Sequence, residues 1–135
     1  MQLIIQKIFR YKWVPAIMWA LFILVICGIP GSMLPKQNFW QWLRFDKIVH
    51  LLVFGMQYLF LIIPLSAGKY PSKRSIIIAF ALSIGYGCFI EVLQEHVFTK
   101  RSGDWRDALA NSLGVVIGWW FHKGLPTGWW IQPNK

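Results

Sequence analysis

The sequence predicts an all-α membrane protein, a small bundle of about four transmembrane helices. Hydrophobic residues make up 56% of the 135 residues, and the mean hydropathy is +0.48, which is too apolar for a small domain folded in water. Four apolar runs cover residues 13–29, 48–65, 76–93 and 108–121. The runs are continuously apolar and do not alternate, which is typical of spanning helices and not of barrel strands.

The length of each apolar run determines whether it can cross the membrane as a helix. About 20 residues are needed to cross about 30 Å of hydrocarbon, and the first three runs are adequate. The fourth is short, so two interpretations stay open: a full span helped by tilt or flanking Trp, or a re-entrant helix. Basic residues precede the first run, but no small-residue cleavage site follows it, so we expect an uncleaved helix. No repeat or linker marks a second domain, which predicts one domain over residues 1–135.

The charges are divided unevenly between the two ends of these helices. One end carries eight positive residues and no acid: Lys7, Arg10, Lys12, Lys69, Lys73, Arg74, Lys123 and Lys135. The other carries all five acids of the chain together with Lys36, Arg44, Lys47, Lys100, Arg101 and Arg106. Because short cytoplasmic loops are enriched in Lys and Arg, we expect both termini in the cytoplasm and the acidic end outside. We interpret the net charge of +9 as anchoring against anionic membrane lipids and expect no nucleic-acid partner.

Three polar stretches adjoin the apolar runs, and alternation of the chain puts them all at the acidic end. They cover residues 46–50, 91–94 and 101–111. The third and fourth runs also carry small residues at a four-residue step, which lets helices approach closely in lipid; these are Ala79, Ser83, Gly87, Ala110, Gly114 and Gly118. If the two stripes pack together, Glu91, Asp107 and Asn111 meet at the outer end.

The first stretch pairs an acid with a histidine. Asp46 and His50 are one helical turn apart, so they can share a hydrogen bond. A carboxylate on one imidazole nitrogen fixes the tautomer and raises the basicity of the other nitrogen. His50 is therefore a candidate general base, proton carrier or metal ligand, and the competing interpretation is a hydrogen-bonded structural histidine at a helix start.

The other acids also have structural alternatives. Ionisable groups in apolar helices are costly and usually face a partner or cavity, so Glu91 is either part of a site or ion-paired with Arg101 or Arg106. Asp104 and Asp107 precede the fourth run and can cap it. We expect Asp107 to act as a cap whatever else it does.

Together these motifs resemble the VanZ-like family of small bacterial membrane proteins. The resemblance rests on Asp46-Lys47-x-x-His50, Glu91-x-x-Gln94, Arg101-x-x-Asp104-x-x-Asp107 and Asn111-x-x-Gly114-x-x-x-Gly118, and it covers residues 46–118. It implies an integral protein of the bacterial cytoplasmic membrane. The namesake of the family is associated with teicoplanin resistance, so the resemblance also implies a role in the cell envelope, with a lipid-linked cell-wall precursor or the glycopeptide itself as partner.

Two classes of function fit the polar stretches best. The first is a binding or structural site facing lipid-anchored ligands. The second is an enzyme acting on a phosphate-bearing envelope lipid, in which Arg binds phosphate, a His–carboxylate pair moves protons, and a divalent cation bridges the carboxylates. The catalytic candidates are Asp46, His50, Glu91, Gln94 and Asp107, and the ligand-binding candidates are Lys47, Arg101, Asp104, Arg106 and Asn111. A transporter is less favoured, because Gln57 is the only polar residue in the middle of a span.

Overall fold

Four α-helices form the described part of the chain, and no strand occurs there. The computed structural model describes residues 12–33, 45–66 and 69–126. The helices are α1 (Val14–Cys27), α2 (Phe45–Leu65), α3 (Lys73–His96) and α4 (Trp105–Lys123), and a 3-10 turn at Gly31–Met33 follows α1. The predicted all-α class is confirmed. Five residues used in the charge argument lie outside the described residues: Lys7, Arg10, Lys36, Arg44 and Lys135.

Two of the four helices are long and apolar enough to cross a membrane. They are α2, over Asp46–Leu65, and α3, over Lys73–His96. α1 is apolar but has only 14 residues. α4 has 19 residues and is the helix predicted from a short run; Arg106, Asp107 and Asn111 in its first two turns lower its mean hydropathy.

The outward faces of the helices are apolar as well. Val25, Leu52, Ile77 and Trp120 are each at least 60% exposed, and they lie on all four helices. Large apolar surfaces of this kind are rare on soluble monomers. In a bilayer these side chains contact acyl chains, so their exposure agrees with a membrane protein.

The starts of the helices follow from their capping residues. The Ser72 hydroxyl accepts a hydrogen bond from the Ser75 N–H at the start of α3. At the start of α4 the cap is Asp104, which has extended backbone angles and accepts from the Arg106 N–H. The prediction that Asp107 caps α4 is therefore wrong. Asp107 lies inside the first turn, where a carboxylate is still favoured by the helix dipole.

The packing of α4 differs from the predicted pairing of the two small-residue stripes. The glycines of α4 face α2 and not α3: a Cβ at Gly118 would lie 2.6 Å from the Gly55 carbonyl oxygen, and one at Gly114 would overlap the carbonyl of Leu51. The α3 stripe approaches α4 near its outer end, where a Cβ at Gly87 would lie 3.2 Å from Asn111. The sequence did not identify Gly55 as the partner because it is an isolated glycine in α2. The α2–α4 contact is the most extensive helix pair.

α1 joins this core through side chains. The Trp19 indole N–H donates to the Val53 carbonyl oxygen at 2.9 Å, and the Tyr86 hydroxyl donates to the Ala20 carbonyl oxygen at 2.6 Å. Ile23 of α1 is fully buried against the core that contains Phe54. α1 is antiparallel to α2, so the end of α1 lies beside the start of α2 and the end of α3.

Candidate functional site

The three polar stretches meet at one end of the bundle, where α2 begins, α3 ends and α4 begins. Hydrogen bonds connect the first stretch to the third, and the third to the second. The predicted convergence is therefore observed, although it comes from α2–α4 packing and not from the paired stripes. We call this group the polar cluster; its members are Asp46, Lys47, His50, Glu91, Glu95, Asp104, Asp107 and Asn111.

Lys47 is the centre of charge in the polar cluster. Its ammonium forms a close ion pair with Asp107, lies 3.3 Å from Asp104 Oδ2, and lies 3.5 Å from Asp46 Oδ2. The Lys47 and Asp107 side chains are only 21% and 14% exposed, so this pair is partly shielded from water. Lys47 was predicted to bind ligand, but here its charge already neutralises carboxylates of the chain.

His50 takes a different partner from the one predicted. Its Nδ1 is 2.9 Å from Asn111 Oδ1, whereas Asp46 contacts Lys47 and is 59% exposed. The Asp46–His50 hydrogen bond is not formed in the described structure. The reason is the arrangement of the helices: His50 faces α4, while Asp46 begins α2 at its exposed rim.

The partners of Asn111 determine which nitrogen of His50 carries the proton. Asn111 Nδ2 donates to Glu91 Oε1 at 3.5 Å, and a carboxylate can only accept, so this contact orients the amide. Asn111 Oδ1 then faces His50 and must receive a hydrogen from Nδ1. In the neutral ring this leaves the lone pair on Nε2. Glu91 therefore acts on the imidazole through Asn111, which is itself 1% exposed.

Two carboxylates hold the loop between α3 and α4. Glu91 Oε2 accepts from the Asp104 N–H at 3.1 Å, and Glu95 Oε2 accepts from the Gly103 N–H at 2.8 Å. Within the described residues Glu91 forms no ion pair with Arg101 or Arg106, so the alternative proposed for it is not found. Glu95 was missed as a site residue, although it continues the four-residue step of Gly87 and Glu91.

Other predicted site residues contact α1 instead of the polar cluster. Gln94 is 2% exposed and donates through Nε2 to the Cys27 carbonyl oxygen at 3.2 Å. Arg101 donates through Nε to the Ile29 carbonyl oxygen at 3.1 Å. The first carbonyl belongs to the last turn of α1, where a helix leaves its carbonyl groups without partners, and the second lies two residues beyond it. Gln94 therefore lies outside the polar cluster.

Arg106 lies at the rim. Its guanidinium is 5.8 Å from the centre of the Trp105 ring, which is 72% exposed, a cation–π arrangement. Among the described residues neither Arg106 nor Arg101 forms an ion pair with a carboxylate.

The polar cluster does not gather a metal-binding set. In the described ranges no three His, Cys, Asp or Glu side chains are grouped so that they could hold an ion. The Lys47 ammonium lies between Asp104 and Asp107, where a divalent cation bridging these two carboxylates would have to bind. The geometry therefore gives the predicted divalent cation no ready ligand set.

Asp104 is stabilised in its ionised form. The backbone N–H of Arg106 and the Lys47 ammonium hold the pKa of Asp104 below its usual value, because hydrogen bonds and positive charge both favour the carboxylate. The same side chain thus caps α4 and joins α4 to α2.

The ends of the bundle differ in charge. All five acids of the chain lie at the polar end, with four described positive residues: Lys47, Lys100, Arg101 and Arg106. The opposite end has five described positive residues and no acid: Lys12, Lys69, Lys73, Arg74 and Lys123. This second end has a polar contact that the sequence did not predict, because His122 is fully buried beside the Tyr58 hydroxyl, 3.1 Å from Nδ1.

Comparison with known protein families identifies the family of the chain. A sequence model of the VanZ/LLP1 family matches residues 3–126, which is nearly the whole chain. No curated protein matches the chain, and neither does any solved structure.

Proposed function

The chain belongs to the VanZ/LLP1 family, and from this premise and the geometry above we propose that its polar end binds the anionic head group of an envelope lipid or lipid-linked cell-wall precursor. One observation carries the proposal. Arg101 and Arg106 are not paired with carboxylates within the described structure, although five acids lie at the same end, because Lys47 neutralises the nearest ones.

The arginines suit a phosphate or diphosphate head group. A guanidinium can donate two parallel hydrogen bonds to phosphate oxygens. Arg106 lies over an exposed Trp, and Trp is the residue type that favours the head-group region of a bilayer. The apolar faces of the helices below would contact the lipid chain of the same ligand.

The proposed side of the membrane is the extracytoplasmic one, with both termini in the cytoplasm. The support is the acid-free end, whose five described positive residues fit the cytoplasmic side. A Ser102→Cys variant on a background without Cys27 and Cys88 would test this. We expect an impermeant thiol reagent to label the introduced cysteine in intact cells, and protection of that thiol from the outside would reverse the orientation.

A role in glycopeptide resistance follows from this proposal. Head-group binding at the outer face would limit access of a drug such as teicoplanin to a lipid-linked precursor. Expression of the chain in a susceptible bacterium is expected to raise the teicoplanin concentration that inhibits growth. Arg101→Gln/Arg106→Gln should abolish the increase, and an unchanged increase in that double variant would contradict the proposal.

The direct test measures binding of farnesyl diphosphate, a short polyprenyl diphosphate, to the purified full chain. We expect Arg101→Gln and Arg106→Gln each to weaken binding about fivefold, since one Lys or Arg near a lipid head group contributes about 1 kcal/mol. Lys12→Gln/Lys69→Gln removes the same charge at the opposite end and should bind as the wild type does. If the arginine variants and the lysine variant lose the same affinity, the diphosphate is attracted by the overall charge of the chain, and this site is ruled out.

A second candidate, catalysis, is favoured by the orientation of His50, whose neutral ring would carry its lone pair on Nε2. A positioned imidazole lone pair can take a proton from water as the water oxygen attacks a phosphorus atom and the bond to the leaving oxygen breaks. His50→Gln separates the two functions. Loss of phosphate release with diphosphate binding retained would support hydrolysis, whereas a wild type that binds without releasing phosphate would leave binding as the function.

A further inference from the structure

The side of the bundle at the acid-free end carries an apolar groove between α3 and α4. Its volume is about 600 Å³, and its walls include Ile76, Ile77, Phe80, Ala81, Val116 and Trp119. The α3 wall extends from Ile76 to Ile84, roughly 12 Å along the axis at 1.5 Å per residue. The groove lies away from the polar cluster, and no contact described above accounts for it.

Three cations lie close to the groove in sequence or in space. Lys73 precedes Ile76 and Ile77 by three and four residues, so these side chains share a face of α3, and Arg74 precedes Ile77 by three. On the other wall Lys123 Nζ lies 3.8 Å from the centre of the Trp119 ring. The opening is thus bordered by positive charge on both helices.

Within the ranges that the structure describes, no acidic side chain lies near the charge around the groove. All five acidic residues lie at the polar end, so none is near Lys73, Arg74 or Lys123. An apolar groove that opens between cations complements a molecule with an acyl chain and an anionic head group. Basic pockets between membrane helices bind anionic phospholipids in this way.

We infer that this groove is a binding site for an anionic phospholipid. One acyl chain lies along the α3–α4 groove, and the head-group phosphate contacts Lys73, Arg74 and Lys123. The site is independent of the function proposed for the polar end. A zwitterionic lipid or a second copy of the chain would also fit the apolar walls, but a zwitterionic head group brings no net negative charge, and the acids of a second copy all lie at its polar end.

The test compares two lipids with identical chains, dioleoyl phosphatidylglycerol and dioleoyl phosphatidylcholine. Binding to the full chain in uncharged detergent is measured by native mass spectrometry, and helicity confirms that each variant is folded. We expect tighter binding of the phosphatidylglycerol and a loss of about fivefold for each charge removed in Lys73→Gln/Arg74→Gln. Lys12→Gln/Lys69→Gln removes equal charge at the same end, at positions more than four residues from any wall residue, and it should bind as the wild type does.

A second pair of variants tests the groove itself. Ala81→Phe fills the groove and should weaken binding of the phosphatidylglycerol severalfold, whereas Leu82→Phe enlarges an exposed side chain that does not line the groove and should have no effect. Equal binding of the two lipids, equal loss in the two charge pairs, or wild-type binding by Ala81→Phe would each overturn the assignment. If the chain forms dimers that are disrupted by Ala81→Phe but not by phosphatidylglycerol, the groove is occupied by a second copy.

Discussion

Helices α2 and α4 contact each other in two regions with different chemistry. In the middle, the backbones of Gly55, Gly114 and Gly118 meet without side chains between them. At the polar end, Lys47 and His50 of α2 reach Asp107 and Asn111 of α4. The middle region is a contact between backbones, whereas the polar end holds His50 and two arginines that form no ion pair with an acid among the described residues. We therefore expect stability to depend mainly on the middle region and ligand chemistry on the polar end.

The largest effect is expected for Gly114→Ala. The new Cβ would overlap the Leu51 carbonyl, so α2 and α4 must separate, and we expect the free energy of unfolding in mixed micelles to fall by at least about 2 kcal/mol. Gly85→Ala is the matched control, because a Cβ there meets nothing within 4 Å and Ala favours helix over Gly. Similar unfolding free energies for the two variants would show that the glycine contact does not set the stability.

The polar end should contribute less to stability. Lys47→Met removes the cation between Asp104 and Asp107, and we expect a loss of about 1–2 kcal/mol in unfolding free energy, between the values for exposed and buried ion pairs. Lys69→Met removes a positive charge at the opposite end and should change little. A double-mutant cycle with Asp107→Asn should give a clear coupling energy, and additive effects would mean that the Lys47–Asp107 pair does not stabilise the fold.

Glu91→Gln tests the chain of contacts that leads to His50. A glutamine can donate to Asn111, so the amide of Asn111 is no longer oriented, and the proton on His50 should redistribute between Nδ1 and Nε2. Nitrogen chemical shifts of the His50 ring measure this directly. We expect a larger fraction of the rings to carry the proton on Nε2. Glu95→Gln removes a charge but keeps an oxygen that can accept from the Gly103 N–H, and it should leave the His50 signals unchanged. A His50 tautomer that is the same in all three proteins would contradict the proposed orientation.

The smallest effect is expected from Asp104→Asn, and it depends on pH. Asn also caps helices well, so the substitution removes mainly the charge. The folded pKa of Asp104 lies below its unfolded value, so the ionised group stabilises the fold above the unfolded pKa of about 3.9, and this contribution is lost as the pH falls through the folded pKa. Melting temperatures should differ slightly between wild type and variant at pH 5–7, and the difference should begin to shrink below about pH 4. A difference that stays constant as the pH falls further would exclude ionisation as its cause.

Much of the site could be predicted from local sequence, but its individual contacts could not. The apolar runs and the alternation of the chain were enough to bring His50, Glu91 and Asp107 to one end. The partner of His50, however, depends on how α2 is rotated against α4, and no local spacing specifies that rotation. The same holds for Gln94, whose motif suggested the site but whose side chain reaches the end of α1.

The sequence by itself determined the helical class, the polar end and the separation of acids from the acid-free end, because hydropathy and charge are properties of each segment. Only the tertiary structure decided that α4 packs its glycines on Gly55, that Lys47 lies among carboxylates, and that Asn111 orients His50. These outcomes require two backbones to approach within van der Waals contact, and that distance depends on both helices together.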